Sequence, residues 1–297
     1  MVNIFSAAGP ITNALMKHAG VRPQLIEIEP GTIMNFWIPI EQAKNKPVHT
    51  KPALLLLHSF AADGILTWQF QVMALSSKYS IYVPDFLFFG QSFTDEKERS
   101  PEFQAQCLAK GLSKLGVDKC IAVGLSYGGM VGFKMAEMYP SLVRGMVVSG
   151  SVVALTESIS SESFERLGLS SWSEGLLPNT AEGVKAMLSL GTYKLPWLPN
   201  FLFTHFLEVM FTNRKQREEL LEALVVSDED FQTPHFSQND KIFTMDLARK
   251  MKEQLGEKTI LLGIEKAGHL SPLERPCVFN RCLEKLLDSI VADEKKE

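Results

Sequence analysis

The chain has 297 residues, of which 45% are hydrophobic and 22% are charged, a composition typical of a folded protein with a large core. Its formal net charge is −4 and it has no cluster of lysine and arginine, which excludes the basic surface that binds nucleic acid. The four cysteines lack C-x-x-C spacing, so we expect reduced and mostly buried thiols, no metal site and a cytoplasmic location.

The first 21 residues are apolar, but they do not predict a signal peptide. Pro10 interrupts them, and no basic stretch precedes the apolar part. Apolar side chains recur there at the spacing of an amphipathic helix interrupted at Gly9-Pro10: Ile4, Phe5, Ala8, Ile11 and Leu15. We expect this segment to cover the core or a cap, with contact to a lipid surface as the alternative. No later run has the length of a transmembrane segment.

Strands and helices alternate through the first half of the chain. Residues 24–29 and 32–38, on either side of Pro30-Gly31, predict an antiparallel hairpin. Four further strands are predicted at residues 53–57, 81–83, 120–124 and 146–149, with helices at residues 68–77 and 101–115 between them. This order predicts an α/β fold with a mostly parallel sheet and helices on both faces.

The strand at residues 120–124 is followed by Gly-x-Ser-x-Gly, the pattern of a nucleophile elbow. In such a motif a tight turn holds Ser126 at its tip in a rarely populated backbone conformation, and the following helix directs its positive end at the serine. Gly124 and Gly128 are small enough to let the strand and helix backbones approach closely. Ser126 is therefore the candidate nucleophile.

From residue 151 to residue 238 the alternation stops. This segment is rich in Leu, Phe, Met and Trp at helical spacing, and four prolines interrupt it. We predict a helical cap over the site at residues 151–238, between an N-terminal part of the core at residues 1–150 and a C-terminal part at residues 239–297.

His269 is the predicted general base. It follows a predicted strand at residues 259–264, where a sheet would place it at the edge beside Ser126. The acid that orients the histidine is expected between the serine and the histidine in the chain. Asp240 is the preferred candidate, and Asp228, which ends an apolar run, is the alternative.

Five motifs together resemble one known family, and the resemblance covers nearly the whole chain. They are His58-Ser59-Phe60, residues 85–92, the Gly124–Gly129 turn, Asn239-Asp240 and Ala267-Gly268-His269-Leu270. In this combination they are similar to the α/β-hydrolase family, in particular to plant proteins of the monoacylglycerol-lipase-like type.

The resemblance implies the roles of the site residues. Ser126 would be the nucleophile, Asp240 the acid and His269 the base, and the backbone N–H groups of Phe60 and Tyr127 would form the oxyanion hole. It implies neither a metal nor an organic cofactor.

The chain departs from the family pattern at two places. The family has His-Gly where this chain has His58-Ser59, which would strain the loop if that position requires a positive φ. The family also has an apolar strand before the acid, whereas this chain has no apolar run there and offers only Pro234-His235-Phe236-Ser237-Gln238. We therefore expect one central strand before Asp240 to be missing, as in a shortened form of an active hydrolase.

These observations predict a serine hydrolase that cleaves a carboxylic ester with an apolar acyl group, with monoacylglycerol as the candidate substrate. Serine rather than aspartate at the nucleophile position disfavours the alkyl-ester chemistry of epoxide hydrolases and haloalkane dehalogenases. One alternative is a ligand receptor, or an inactive shortened variant, that binds a small apolar ligand without turnover. Carbon–carbon bond hydrolysis or lyase chemistry on the same residues is another.

Overall fold

The computed structural model describes residues 3–43, 51–228, 242, 245–256 and 259–294. Its strands are β1 (Val21–Glu29), β2 (Thr32–Pro39), β3 (Ala53–Leu57), β4 (Ser80–Pro84), β5 (Phe93–Thr94), β6 (Cys120–Leu125), β7 (Val143–Ser149), β8 (Leu155–Thr156) and β9 (Val225–Val226). Its helices are α1 (Ile4–His18), α2 (Ile40–Ala43), α3 (Gly64–Leu75), α4 (Pro101–Lys114), α5 (Tyr127–Met138), α6 (Glu157–Leu167), α7 (Trp172–Leu176), α8 (Ala181–Gly191), α9 (Asn200–Met210), α10 (Arg214–Leu224), α11 (Met245–Leu255), α12 (Ser271–Glu274) and α13 (Pro276–Glu294).

The main sheet has the strand order β1-β2-β4-β3-β6-β7, and β5 pairs with β2. The β1–β2 hairpin and the β2–β4 pair are antiparallel, whereas β4, β3, β6 and β7 run parallel to one another. The predicted hairpin and the mostly parallel sheet are therefore confirmed.

Strand β3 shows why the sheet carries helices on both faces. Residues 54–57 are leucines whose side chains are completely buried. Leu55 and Leu57 pack in one apolar cluster with residues of α4 and α5, while Leu54 and Leu56 pack in a second cluster with residues of α3 and α13. Because successive strand residues point to opposite faces, an unbroken apolar run requires cover on each side.

Helices α6 to α10, called the cap helices below, lie between β8 and β9 in the chain. Three of them begin at a hydroxyl N-cap: Thr156 for α6, Ser171 for α7 and Thr180 for α8. β8 and β9 pair in parallel with each other, so Val225-Val226 does not extend the main sheet. The limits of the cap at residues 151 and 238 stay predictions.

The predicted strand at residues 259–264 is wrong: the structure has no regular secondary structure there. Ile260 and Leu262 are instead exposed, although the short apolar run to which they belong is typical of a strand. A parallel strand forms only beside a hydrogen-bonding neighbour, and β7 is the last strand of the main sheet within the described ranges. The strand expected to be missing concerns residues 234–240, which lie outside the described residues, so that prediction stays open.

Helix α1 also differs from the sequence expectation, because it continues through Pro10. The Asn3 side chain caps its first turn by accepting hydrogen bonds from the backbone N–H groups of Phe5 and Ser6. Met16 is its one fully buried residue, which places α1 as a cover on the second apolar cluster.

Candidate active site

Ser126 has the backbone conformation of a nucleophile elbow. Its φ of 55° and ψ of −120° lie in a region that residues with a side chain rarely adopt. Hydrogen bonds hold this turn: the Ser126 N–H donates to the Ser149 carbonyl at 3.0 Å, and the Ser126 carbonyl accepts from the Gly129 N–H at 2.8 Å and from Ser151 Oγ at 2.7 Å. The serine side chain therefore stands at the junction of β6 and α5.

The glycines on each side of Ser126 permit a close backbone approach. A Cβ on Gly124 would lie 2.5 Å from the Gly128 carbonyl oxygen. A Cβ on Gly128 would collide with the carbonyl oxygen of Leu57 at the end of β3. Any larger residue at these two positions must displace backbone, as the motif predicts.

His269 is buried and lines the same cavity as Ser126. Hydrogen bonds fix the chain on both sides of the histidine. The Gly268 N–H donates to Glu274 Oε2 at 2.6 Å, and the Leu270 N–H donates to the Gly191 carbonyl at the end of cap helix α8 at 2.9 Å. The loop is thus positioned without a preceding strand.

Of the two candidate acids, the structure describes only Asp228. Asp240 lies outside the described residues. The Asp228 carboxylate accepts hydrogen bonds from the Ser158 N–H at 3.0 Å and from Ser158 Oγ at 2.6 Å in an exposed position. Because Ser158 lies in the first turn of α6, Asp228 acts there as a second cap of that helix.

The proposed oxyanion donors lie beside the serine. Phe60 follows β3, Tyr127 begins α5, and both residues line the cavity with Ser126. Within the described ranges, no backbone hydrogen bond uses the N–H of either residue. Ser59 is not among the non-glycine residues with positive φ in the described chain, so the strain considered for a serine at this position does not arise.

His58 fixes the shape of the loop that carries Phe60. Its Nδ1 lies 2.7 Å from the Ser59 carbonyl and its Nε2 accepts the Phe86 N–H at 2.9 Å, which assigns the proton to Nδ1. Complete burial lowers the pKa of His58 to about 3, so the ring is neutral at physiological pH. His58 is a structural residue of the oxyanion loop.

A second buried polar group lies behind this loop. The Asp85 carboxylate accepts hydrogen bonds from Asn35 Nδ2 and from the Gly64 N–H, each at 2.9 Å. Burial, followed by the nearby charge of Asp63, raises the pKa of Asp85 to about 7. Asp63 caps α3 through the Leu66 N–H, and its own pKa is raised by burial.

Arg217 is a residue of this region that sequence reasoning missed. It projects from cap helix α10, donates through Nε to the Phe88 carbonyl at 3.0 Å and places its guanidinium 4.0 Å from the centre of the Phe89 ring. Burial lowers its pKa to about 10, opposed by the charge of Asp63. Arg217 shares one face of the helix with Leu220, Leu221 and Leu224, and this spacing in the sequence could have indicated that its side chain is buried.

The cavity over Ser126 encloses about 800 Å³, including space open to solvent. The cap contributes mainly apolar side chains to its wall: Leu167, Leu169, Trp172, Leu176, Met187 and Leu188. Trp197 and Phe201, two other apolar residues of the predicted cap, are exposed and do not line it. Such a wall suits an uncharged, apolar ligand.

In the described part of the chain, no group of three or more metal-binding side chains comes together. Cys107 and Cys120 are buried, and burial raises the pKa of each thiol to about 12, whereas Cys277 is exposed. No helix among the described residues is both long enough and apolar enough to cross a membrane.

Comparison of the sequence with known proteins finds one family model and several curated relatives that match part of the chain. The family model described as alpha/beta hydrolase fold matches residues 52–189. Human epoxide hydrolase 4 is 26% identical over 158 residues, which are 52% of this chain and 38% of that protein. The matched region thus spans well under half of this curated relative.

Solved structures resemble nearly the whole chain. A bacterial membrane phospholipase A matches with a TM-score of 0.75 and 18% identity, covering 97% of this chain and 91% of the phospholipase. The 2-hydroxy-6-oxo-6-phenylhexa-2,4-dienoate hydrolase of Rhodococcus matches with a TM-score of 0.69 and 17% identity, covering 90% of this chain and 99% of that enzyme. At this level of identity the likeness shows the fold.

Proposed function

The chain has the α/β-hydrolase fold, and from this premise we propose that it is a serine hydrolase that cleaves the ester of an apolar acyl group. The observation that carries the proposal is the Ser126 turn, whose strained conformation places a hydroxyl in an apolar cavity that His269 also lines. Strain of about 1 to 3 kcal/mol at a single residue is retained mainly where function uses it.

In the proposed reaction, His269 takes the proton of the Ser126 hydroxyl while Oγ attacks the ester carbonyl carbon. The N–H groups of Phe60 and Tyr127 stabilise the negative charge that develops on the carbonyl oxygen. Collapse of this intermediate breaks the ester bond, and the alcohol leaves with the proton from His269. Water, activated by the same histidine, then attacks the acyl-enzyme and releases the carboxylic acid.

Asp240 is proposed as the acid that orients His269, on the strength of the family resemblance and the order of the three residues in the chain. Asp228 is the alternative. Separate Asp240→Asn and Asp228→Asn variants distinguish them, because loss of the orienting acid lowers kcat by a factor of about 10⁴ in the best-studied serine hydrolases. The variant at the other position should keep near-normal turnover.

The apolar wall of the cavity and the serine nucleophile support an acyl ester as substrate, with monoacylglycerol as the candidate. The similar proteins are named as an epoxide hydrolase, a phospholipase A and a hydrolase of 2-hydroxy-6-oxo-6-phenylhexa-2,4-dienoate. Epoxide opening through an alkyl-ester intermediate uses a carboxylate nucleophile, which Ser126 does not supply.

A fluorophosphonate probe tests the proposal directly. It should label the purified protein, and Ser126→Ala should abolish the labelling, while Ser77→Ala at an exposed serine should not. Turnover should then be measured on esters of increasing acyl length and on monoacylglycerol. A well-folded protein that is neither labelled nor active on any ester would refute the enzyme proposal.

A ligand receptor of the same fold is the second candidate, and one observation favours it. The segment leading to His269, residues 259–264, packs without a strand and exposes Ile260. A base on such a segment is less firmly held than one that follows a central strand. An apolar ligand that raises the melting temperature of protein resistant to the probe would favour the receptor.

A further inference from the structure

Helix α1 exposes an apolar stripe to solvent. Ile4, Ile11 and Leu15 fall on one face of the helix, and the exposed fraction of Ile11 reaches 64%. The alanines at positions 7 and 14 on the same face are exposed as well. The opposite face packs inward through Phe5 and Met16. This helix is therefore apolar on two sides, although a covering helix needs only one apolar face.

A second group of exposed apolar side chains lies in and after the loop that joins α8 to α9. Tyr193 and Phe201 are about half exposed, and Trp197 is 86% exposed. An isolated exposed apolar residue needs no explanation, but a tryptophan with almost no contact among neighbouring exposed aromatic residues is unusual.

Contacts through α9 join the two groups into one surface. The backbone N–H of Ile4 donates to His205 Nδ1 at 3.2 Å, and the ring of Phe201 lies 5.6 Å from the ring of His205. Asn3 also donates to the His205 carbonyl at 3.0 Å. We call this surface the α1–cap patch; it consists of Ile4, Ile11, Leu15, Tyr193, Trp197 and Phe201.

The segments that build the α1–cap patch carry positive charge in a chain of net negative charge. Residues 3–26 contain Lys17 and Arg22 without Asp or Glu, and the loop between α8 and α9 contains Lys194 without Asp or Glu. The acidic residue at the junction of the two groups is Glu208 of α9, whose carboxylate accepts a hydrogen bond from Asn3 Nδ2 at 2.8 Å. An apolar surface with an exposed tryptophan and basic neighbours is the combination that binds anionic lipid interfaces.

The α1–cap patch is also joined to the cavity. Leu188, Leu190 and Gly191 line the cavity at the end of α8, and the loop with Trp197 follows at once. The Tyr193 N–H donates to Glu274, which also holds the loop of His269. The loop that carries Trp197 therefore continues directly from the wall of the proposed active site.

We infer that the α1–cap patch docks this protein on an anionic phospholipid bilayer, from which the cavity takes its apolar ester. The choice of occupant rests on the positive charge and the exposed tryptophan. The delivery of substrate rests on the proposed function, whereas the docking itself does not.

Trp197 provides an intrinsic reporter of docking. The other three tryptophans, Trp37, Trp68 and Trp172, are buried, so a change of emission on docking comes mainly from Trp197. Vesicles of phosphatidylcholine with phosphatidylglycerol should shift the emission to the blue, and brominated phospholipid should quench it. Phosphatidylcholine alone and added salt should both weaken the effect. Absence of a shift together with absence of co-sedimentation would overturn the inference.

Substitutions locate the surface. Ile11→Ser and Trp197→Ser should each lower the vesicle partition coefficient by about tenfold or more, because each removes a large apolar side chain from the docked face. Phe93→Ser is the matched control, since Phe93 is similarly exposed on β5 outside the patch. All three should keep the melting temperature. An equal loss of binding in the control would overturn the inference.

Three further readouts separate the docking from the proposed function. Ile11→Ser and Trp197→Ser should leave probe labelling and turnover of a short, water-soluble ester unchanged and should lower turnover of monoacylglycerol in vesicles. Vesicle binding without probe labelling would refute the enzyme and leave the docking in place. Dimers that Trp197→Ser dissociates, together with no vesicle binding, would instead assign the patch to a second copy of the chain and overturn the inference.

Discussion

The carboxylate of Glu274 holds Gly268, the residue before His269, through a hydrogen bond of 2.6 Å from the Gly268 N–H. Its second oxygen accepts the Tyr193 N–H of the cap loop at 2.7 Å. One side chain therefore ties the loop of the proposed base to the cap. It substitutes for some of the support that a preceding strand would give.

We predict that Glu274→Ala lowers kcat about tenfold or more, because His269 loses its fixed position relative to Ser126. Two backbone N–H groups also lose their acceptor, which should lower the free energy of unfolding by about 1 to 3 kcal/mol. Glu274→Gln keeps one acceptor oxygen, so its kcat and its free energy of unfolding should lie between those of the wild type and those of Glu274→Ala. Steady-state kinetics and urea unfolding check both effects. Unchanged kcat in the alanine variant would contradict the positioning role.

Gly128→Ala should disrupt the elbow, because the new Cβ would collide with the Leu57 carbonyl. We expect a loss of unfolding free energy of about 1 to 3 kcal/mol and much slower probe labelling of Ser126. Gly9→Ala in α1 is the matched control, since its Cβ would meet no atom within 4 Å. That variant should be neutral or more stable by up to about 1 kcal/mol. Equal stability of the two variants would contradict the close approach.

Removing the buried guanidinium of Arg217 should loosen the cap on the core. Arg217→Met leaves the Phe88 carbonyl with only the longer hydrogen bond from Asn213 Nδ2, at 3.3 Å, and deprives Asp63 of a nearby positive charge, so we expect a loss of about 2 to 5 kcal/mol of unfolding free energy. Arg217→Lys keeps the positive charge but lacks the planar guanidinium, so it should recover only part of the lost unfolding free energy. Chemical denaturation of the two variants measures both changes in unfolding free energy. Arg214→Met on the same helix is the comparison, and an equal effect there would show that burial of Arg217 is unimportant.

Asp85 should make stability depend on pH. Its pKa is raised from an ordinary value of 3.8 to about 7, so its contribution is most favourable below about pH 4 and is lost as the pH rises through about 7. The melting temperature of Asp85→Asn should therefore rise relative to that of the wild type as the pH increases from about 5 to about 8, because asparagine does not titrate. A difference in melting temperature between the two proteins that does not change with pH would contradict the raised pKa of Asp85.

The elbow was predictable because its information is local. Gly124, Ser126 and Gly128 specify a turn that the structure realises in every respect, including the positive φ of the serine. Arg217 was missed because the sequence alone indicates only that a charged residue falls on an apolar helix face. Its partners, Phe88 and Phe89, are more than a hundred residues away.

The wrong strand at residues 259–264 shows the limit of local patterns. The short apolar run there is compatible with a strand, but the backbone hydrogen bonds of a parallel strand come from another part of the chain. Helix α1 shows the opposite case, because its second apolar side has no partner within the described molecule that a sequence pattern could reveal.

His58 has one consequence for how the cavity can open. Its ring joins the Ser59 carbonyl to the Phe86 amide, so a buried hydrogen-bonded bridge holds the segments after β3 and β4 together. Since the imidazole stays neutral, acidification to about pH 5 leaves this bridge in place. We therefore expect a bulky acyl chain to displace the cap helices, and not the loops after β3 and β4 that form the floor of the cavity.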